Sequence, residues 1–489
     1  MAISDSEYKA WLSDQSAIRC VLVEATVKVG GSEIVRYMSN RGYVTGGADS
    51  PANTVYEPII SGGVKLSESI SIDASPTISF GDIEVENVTG SKDSWLNDIW
   101  ENRNISVFYG DVKWARSDFR RVLKATCGGI GSSSRTTLNL LLRDDLQKLN
   151  VSVTTTIGSG DAIYGDKVTP LLFGECFNIS PRLLDSATSQ YKVHDGTIEE
   201  VLEVRDNGVP VAFTQDKVAG NFTLVVPPVG TVTASVQGAR VGGSYKYTLA
   251  DVIDHIKTTY GNAESRAVAV DTASMVSYTG VNYPVGLFLN ESANLLATLQ
   301  ELAGSVNAQL NMSRQGELRA YQINFPPVGS PVTINKNHIV ERTLAVDNIT
   351  TPTSSVVIGC AKNYTVQSSI QTAIPQPHIV SYATEWLTET ATDTTAETNY
   401  KLYSAVTPKN TLLVAKTDAA AEATRRLNIV KVPRTVYKMT CFSSMLDLEL
   451  GQAVTIVHDR FGMSSGVTGI VVGLEPDWIN ARVNVKVMV

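Results

Sequence analysis

The sequence is short of charge, of histidine and of paired cysteines, and each shortage closes off a class of function. Asp, Glu, Lys and Arg make up 18% of the residues, against about 25% in an ordinary soluble domain. Acidic residues outnumber basic ones, 49 to 41, for a formal charge of −8. A nucleic-acid binder carries the opposite balance. The densest basic stretch, "RSDFRRVLK" (116–124), lacks a basic surround and is expected to be a solvated strand or helix face. The five histidines stand at 194, 255, 338, 378 and 458, so no HExxH or similar short metal signature occurs. Cys20, Cys127, Cys176, Cys360 and Cys441 are odd in number and far apart. That spacing excludes a local CxxC knuckle, gives no disulfide framework and leads us to expect synthesis in a reducing cytoplasm. No stretch approaches the roughly 18 apolar residues that cross a bilayer. The opening "MAISDSEYKAWLSDQ" has neither the basic leader nor the apolar centre of a secretory signal.

Ser, Thr, Val and Gly fill the gap, as in a strand-rich protein with many turns. At 489 residues the chain should divide into about three or four domains. The first, 1–150, is expected to be a β domain with a short helix around Tyr8 to Leu12. "IRCVLVEATVKV" and "SEIVRYMS" are joined by Gly30-Gly31 as a hairpin, and "VKLSESISID" alternates Val64, Leu66, Ile70 and Ile72 as a half-buried strand. "DSWLNDIW" sets Leu96, Ile99 and Trp100 at helical spacing, and "NISVFYGDVKW" returns to strand. "TTTIGSGD", just beyond Asn150, is a linker or loop.

The second segment, 151–245, is expected to be a small β-rich domain. Asp206-Asn207-Gly208 marks one hairpin, and "NFTLVVPPVGTVTASVQG" is expected to be another, with Pro227-Pro228 at its turn or on an edge. The third, 246–330, is an α+β domain. Thr248 caps a helix buried through Leu249, Val252, Ile253 and Ile256. Ser292 is expected to cap a second, with Leu295, Leu296, Leu299 and Leu302 inward and Gly304 as its stop. A hairpin with Arg314-Gln315-Gly316 at its tip follows. The last, 331–489, is a C-terminal β-barrel-like domain with one helix, "TDAAAEATRRLNIV" (417–430). Its strands are "TVYKMTCF", "AVTIVHD", "GVTGIVVGLEP" and "ARVNVKVMV". The last two carry few edge-blocking charges and are expected to need cover from a neighbouring chain.

Tests for chemistry come back empty. His458-Asp459 and His194-Asp195 are neighbours whose side chains point to opposite faces of a strand. Asp251 and His255 are four apart on a helix and could touch, which needs no function. "CGGIGSSSRTT" (127–137) lacks the Lys-Ser/Thr of a phosphate loop and is expected to be a β-turn. No GxSxG elbow is present, and no carboxylate pair is singled out. We therefore expect no catalytic, cofactor-binding or metal-ligating residues, and no enzyme.

Four stretches carry a resemblance instead. "DSWLNDIWENRNISVFYGDVKW" is similar to the aromatic-rich strands of minor and distal tail proteins, and "KVTPLLFGECFNISPRLLD" to tail-tip sequence. "SANLLATLQELAGSVNAQLNMSRQGELRAYQI" and "LDLELGQAVTIVHDRFGMSSGVTGIVVGLE" resemble the baseplate hub proteins of long-tailed, siphophage-like bacteriophages. The resemblance implies a mainly β, multidomain sandwich or barrel architecture with an α+β module, in a structural virion protein at the tail tip. It implies a homo-oligomeric ring, a trimer with a hexamer as alternative. Such a ring would join the tail tube to the tip and form a channel for genome ejection. The implied partners are distal tail, tape-measure and tip or fibre proteins, with no sequence-specific nucleic acid and no membrane span. A hexameric distal tail protein is the alternative within the class; the helices after residue 246 favour the hub. A cell-wall hydrolase or carbohydrate-binding tail component is the alternative outside it. That reading would need an acid pair in an aromatic cleft, whereas Trp11, Trp95, Trp100, Trp114, Trp386 and Trp478 are scattered.

Overall fold

The computed structural model describes residues 3–72, 77–154, 168–278, 283–367, 374–402 and 406–489. The expected linker "TTTIGSGD" (154–161) falls almost wholly outside them. The chain is mainly β, with helices concentrated in its middle. Its frame is a 15-stranded sheet built from the two ends of the chain. The N-terminal half supplies β1 (Arg19–Val29), β2 (Ser32–Ser39), β3 (Tyr43–Val44), β4 (Val55–Pro58), β5 (Ile60–Ser69), β6 (Thr77–Glu86), β7 (Asn104–Asp111), β8 (Arg120–Ser134) and β9 (Thr137–Arg143). These lie in the order β5-β6-β9-β8-β7-β1-β2-β4-β3. The C-terminal half supplies Val332–Asn335, Ala345–Ile349, Thr435–Phe442, Ala453–Val457, Val467–Asp477 and Arg482–Met488, and joins the first half where Val467–Asp477 pairs with β5.

Local sequence explains many of these elements. Gly30 and Gly31 turn the β1–β2 hairpin with φ of 57° and 107°, and Asn207-Gly208 turns the next predicted hairpin with φ of 49° and 84°. Val64, Leu66, Ile70 and Ile72 are buried, as their alternation requires. The first helix, Asp5–Ser13, opens on a capping box: Glu7 N donates to Ser4 Oγ and Ser4 N to Glu7 Oε2. Its last carbonyls accept from the Arg19 guanidinium, at 3.0 Å from Leu12 O and 2.6 Å from Asp14 O. Ser443 Oγ, from the C-terminal half, also donates to Leu12 O at 2.6 Å. The helix thus straps the two halves together.

The cores divide the chain differently from four consecutive segments. One contiguous core takes residues from both ends, among them Val23, Val107, Leu140, Met439, Leu474 and Val485. A sheet of this width can line one core only by curling round it. A second core joins Leu249, Ile256, Leu299 and Leu310 to Ile358, Leu413, Ala423 and Leu427, so the helical module expected at 246–330 also takes in strands and a helix from beyond residue 350. A third, small β core centres on Ile179, Val201, Phe222 and Val236.

Several local expectations are corrected. In "DSWLNDIW" a short 3-10 turn buries Trp95 and Trp100, with ring centroids 5.5 Å apart, and leaves Leu96 and Ile99 exposed; bulk outweighed spacing. Asn221–Leu224 does not pair with Val232–Val241; it lies between Gln190–Lys192 and Phe213–Asp216. Asn294, not Ser292, caps the helix Leu295–Gly304, its Oδ1 accepting from Ala297 N at 3.1 Å; Leu296 is only partly buried. Arg116, in the stretch expected to be solvated, is buried and donates to Glu24 at 2.6 Å. The strands Val467–Asp477 and Arg482–Met488 are interior to the sheet, so they need no second chain to cover them.

Candidate functional site: the seam between the two β halves

The seam rests on few backbone pairs. Gly473 lies opposite Ser69 and Leu474 opposite Glu68, and Ile70 N donates to Val472 O at 2.9 Å. Side chains on the two faces of the sheet reinforce it in opposite ways.

On the outward face a polar ladder runs across four strands. Ser67 Oγ donates to Glu475 Oε1 at 3.4 Å, Asn484 Nδ2 to Glu475 Oε2 at 3.1 Å, and Thr440 Oγ1 to Asn484 Oδ1 at 2.8 Å. Charges beside the ladder are paired. Lys438 and Lys486 flank Asp347 at 3.0 and 2.9 Å, and Lys65 bridges Asp82 and Glu84 at 3.1 and 2.6 Å. Hydrogen bonds from Lys486 and then Lys438 hold the Asp347 carboxyl below its ordinary range. A shallow cavity of about 490 Å³ follows the ladder, with Ser67, Thr440, Glu475, Asn484 and Lys486 in its wall.

The inward face carries one buried acid. Glu68 follows Val64 and Leu66 in the alternation and is 4% exposed. Its Oε2 accepts from Arg314 Nε at 2.5 Å, and Arg314 stands at the tip of the hairpin between Ala308–Met312 and Glu317–Gln322. The Arg314 carbonyl accepts from Lys124 N of β8 at 2.7 Å. Arg319, on the same hairpin, pairs with Asp271 at 3.4 Å and Glu449 at 2.5 Å. The helical module is thus plugged into the frame by a hairpin whose two arginines are paired with carboxylates. A cavity of about 280 Å³ lies at this junction, walled by Glu68, Arg121, Arg314, Arg319 and Glu449.

The arrangement suits a wetted, cross-linked wall. Each carboxylate named along it accepts hydrogen bonds from its neighbours, Glu475 from Ser67 and Asn484, and Asp347 from Lys438 and Lys486, and so ties adjacent strands together. The residues weighed from sequence do not converge. His458 lies just past the strand Ala453–Val457, not on it, and its Nδ1 accepts from Arg460 N at 3.1 Å, while Asp459 is exposed. His194 is buried; its Nδ1 accepts from Leu172 N at 2.9 Å, and burial pulls its pKa down to about 3. Asp251 and His255 do not pair: Asp251 accepts from Thr248 Oγ1 at 2.7 Å, and His255 Nδ1 lies 3.1 Å from Thr259 Oγ1. His338 and His378 bond within their own turn and helix. The five cysteines are free and buried. The "CGGIGSSSRTT" stretch runs from β8 through its turn into β9. Among the described residues no group of three or more His, Cys, Asp or Glu could hold a metal, and no helix is long and apolar enough to cross a membrane. Sequence reasoning missed the ladder. The polar halves of the alternations in "ARVNVKVMV" and "TVYKMTCF" are its signal, but nothing local says which strands lie side by side.

No family model and no curated protein matches the chain. Solved structures are similar over nearly its whole length. A tail protein from Neisseria meningitidis MC58 is 9% identical, with 96% of this chain and 97% of that chain covered at a TM-score of 0.41. The 43 kDa tail protein of prophage MuSo2 from Shewanella oneidensis is 11% identical, covering 95% and 98% at 0.40. Prophage tail protein gp18 from Listeria monocytogenes EGD-e is 9% identical, covering 96% and 94% at 0.40.

Proposed function

We propose that this chain is a structural subunit of a bacteriophage tail, a baseplate hub whose copies form a ring between tail tube and tip. The observation that carries the reading is the fused frame: two β halves from opposite ends of the chain continue as one curled sheet with a polar, charge-paired outer face. Three such chains would present six β halves, which suits a threefold ring that must meet a sixfold tube. The seam face would line the channel. Its three lysines (Lys65, Lys438, Lys486) stand against four carboxylates (Asp82, Glu84, Asp347, Glu475), so it offers a passing polyanion no net positive charge to bind. The sequence resemblance to hub proteins supports the same role. Under it the protein resides in the virion at the tail tip, contacts distal tail, tape-measure and tip or fibre proteins, and has no catalytic step.

Reconstruction of assembled tails tests this. Three copies of the chain around an axial channel are expected, with Asn484 and Lys486 facing the lumen. Sixfold density for the chain would move the reading to the distal tail protein. A single copy off the axis would overturn both.

A further inference from the structure

We propose that the small β core presents a rigid apolar plug that docks into an uncharged pocket of a different protein. The plug is the loop 225–230 with the adjoining turn 208–212. Val225, Val226 and Val229 are 64%, 68% and 92% exposed, and Pro227, Pro210 and Ala212 are exposed beside them. No charged residue occurs between Lys217 and Arg240, or between Asp206 and Asp216. In a chain whose described surface is otherwise dotted with ion pairs, such an uncharged apolar tip is the kind of patch that marks an interaction site.

The loop is held in shape from behind. Val229 N and Gly230 N donate to the two Asp206 carboxylate oxygens at 2.7 and 2.8 Å, and Thr231 N donates to Asn207 Oδ1 at 3.0 Å. Asn207 N closes the return bond to Thr231 O at 3.0 Å, and Val225 N donates to Ala212 O at 3.1 Å. A Cβ on Gly230 would fall 1.8 Å from Asn207 Nδ2, so this clamp needs glycine there. Pro227 and Pro228 have no N–H to satisfy. The tip can therefore leave water with most of its backbone donors already bonded, which an apolar contact demands.

The chemistry selects the occupant. A lipid surface needs no fixed shape and is met by aromatic and cationic side chains, and residues 225–231 contain neither. A preformed plug gains affinity where the partner is also shaped, as in a protein pocket. A second copy of this chain is a poor match: the cavities at the hairpin junction, at the seam and beside Tyr382 are walled by charged groups such as Glu68 and Arg314, Lys486 and Glu475, or Glu203 and Arg205. The plug is also too small to be a whole interface of about 1,200–2,000 Å² and would act as its central anchor.

Photo-crosslinking tests this whether or not the chain forms a ring. Benzoylphenylalanine would be placed at position 226 in the full chain, made in its producing cells, with the exposed Val218 as control position. We expect one protein adduct, identified by mass spectrometry, with its linked peptide free of charged residues and no counterpart at position 218. Val229→Asp should reduce that adduct by about tenfold or more, since it puts a charge in an apolar pocket, while leaving the melting profile unchanged. Asp206→Ala should reduce it by loosening the clamp. No adduct above the control, an adduct to lipid, an adduct to a second copy, or an adduct unmoved by Val229→Asp would each overturn the proposal.

Discussion

Replacing Glu422 with alanine should loosen the helical module more than any single surface change. Glu422 is 1% exposed on the helix Lys416–Val430 and accepts three charge-assisted bonds: from Arg425 Nε and NH2, both at 2.7 Å, and from Arg426 Nε at 2.6 Å. The two guanidiniums pass the charge on. Arg425 donates to Val306 O at 2.9 Å, and Arg426 to Ser305 O at 2.9 Å and Gly304 O at 3.1 Å. These carbonyls lie at and just past the end of the helix Leu295–Gly304, so the two guanidiniums tie that end to the helix Lys416–Val430. Removing the carboxylate leaves two neighbouring arginines with no counter-charge, held only by backbone carbonyls and, for Arg425, by Asn324 Oδ1 at 2.9 Å. Breaking a buried pair costs about 3–5 kcal/mol. The surviving carbonyl bonds and partial solvent access place Glu422→Ala near the lower end, about 3 kcal/mol.

Because the chain has several cores, a single melting temperature would blur this effect. Hydrogen exchange resolves it. Amides of residues 299–312 and 419–430 should lose protection by a factor of about one hundred, the equivalent of about 3 kcal/mol. Amides of β7 to β9 should keep theirs. Glu422→Gln, which retains shape and one acceptor, should fall between. Unchanged protection in Glu422→Ala would refute the reasoning, and so would a uniform loss across all cores.

Leu299→Ala should cost about 2–5 kcal/mol in the same module, since Leu299 is fully buried, and denaturant melts followed by exchange would show it. If that variant melted like the wild type yet failed to assemble, the leucine face would be an intersubunit surface. His458→Ala should change stability by no more than about 0.5 kcal/mol, because it removes one bond in an exposed turn; a large loss of infectivity with normal folding would reopen a site there. His194 is held neutral by burial, with its pKa lowered from 6.5 to about 3. The unfolded chain therefore binds the extra proton first as pH falls, so this residue's stabilisation is complete above pH 6.5 and drains away toward pH 3. His194→Asn, which keeps an acceptor for Leu172 N, should flatten the stability–pH slope in that window, and an unchanged slope would show that other groups set it.

What was legible in the sequence was local. Alternation found Val64 to Ile72 and Val483 to Val487, turn chemistry found Gly30-Gly31 and Asn207-Gly208, and a cap with a stripe found the helix after Thr248. What was lost depends on contacts far apart in the chain. Ser69 meets Gly473 across about 400 residues, and no periodicity in either strand encodes the other. That pairing continues the sheet beyond Val467–Asp477, while Arg482–Met488 is enclosed by Val467–Asp477 and Thr435–Phe442, and it brings Ser67 alongside Glu475, Asn484 and Thr440. Glu68 was equally hidden. It occupies an inward position of an apolar alternation, and only Arg314, from a hairpin 246 residues on, makes its burial tolerable.

Seam and plug solve opposite problems with the same material. At the seam the backbone contributes little, so an apolar outer face would have left a sticky furrow open to non-specific pairing. Hydrogen bonds from Ser67 to Thr440 fix the register instead, and each ladder group finds its partner within the chain. Such a face is finished, with little left to offer a neighbour. At residues 225–230 the N–H groups of Val229 and Gly230 turn inward to Asp206, while Val225, Val226, Pro227 and Val229 are exposed. That surface is unfinished by construction. Under the proposed tail role, the closed polar face would suit a channel wall that must not adhere, and the stiffened apolar loop a contact with a neighbouring protein.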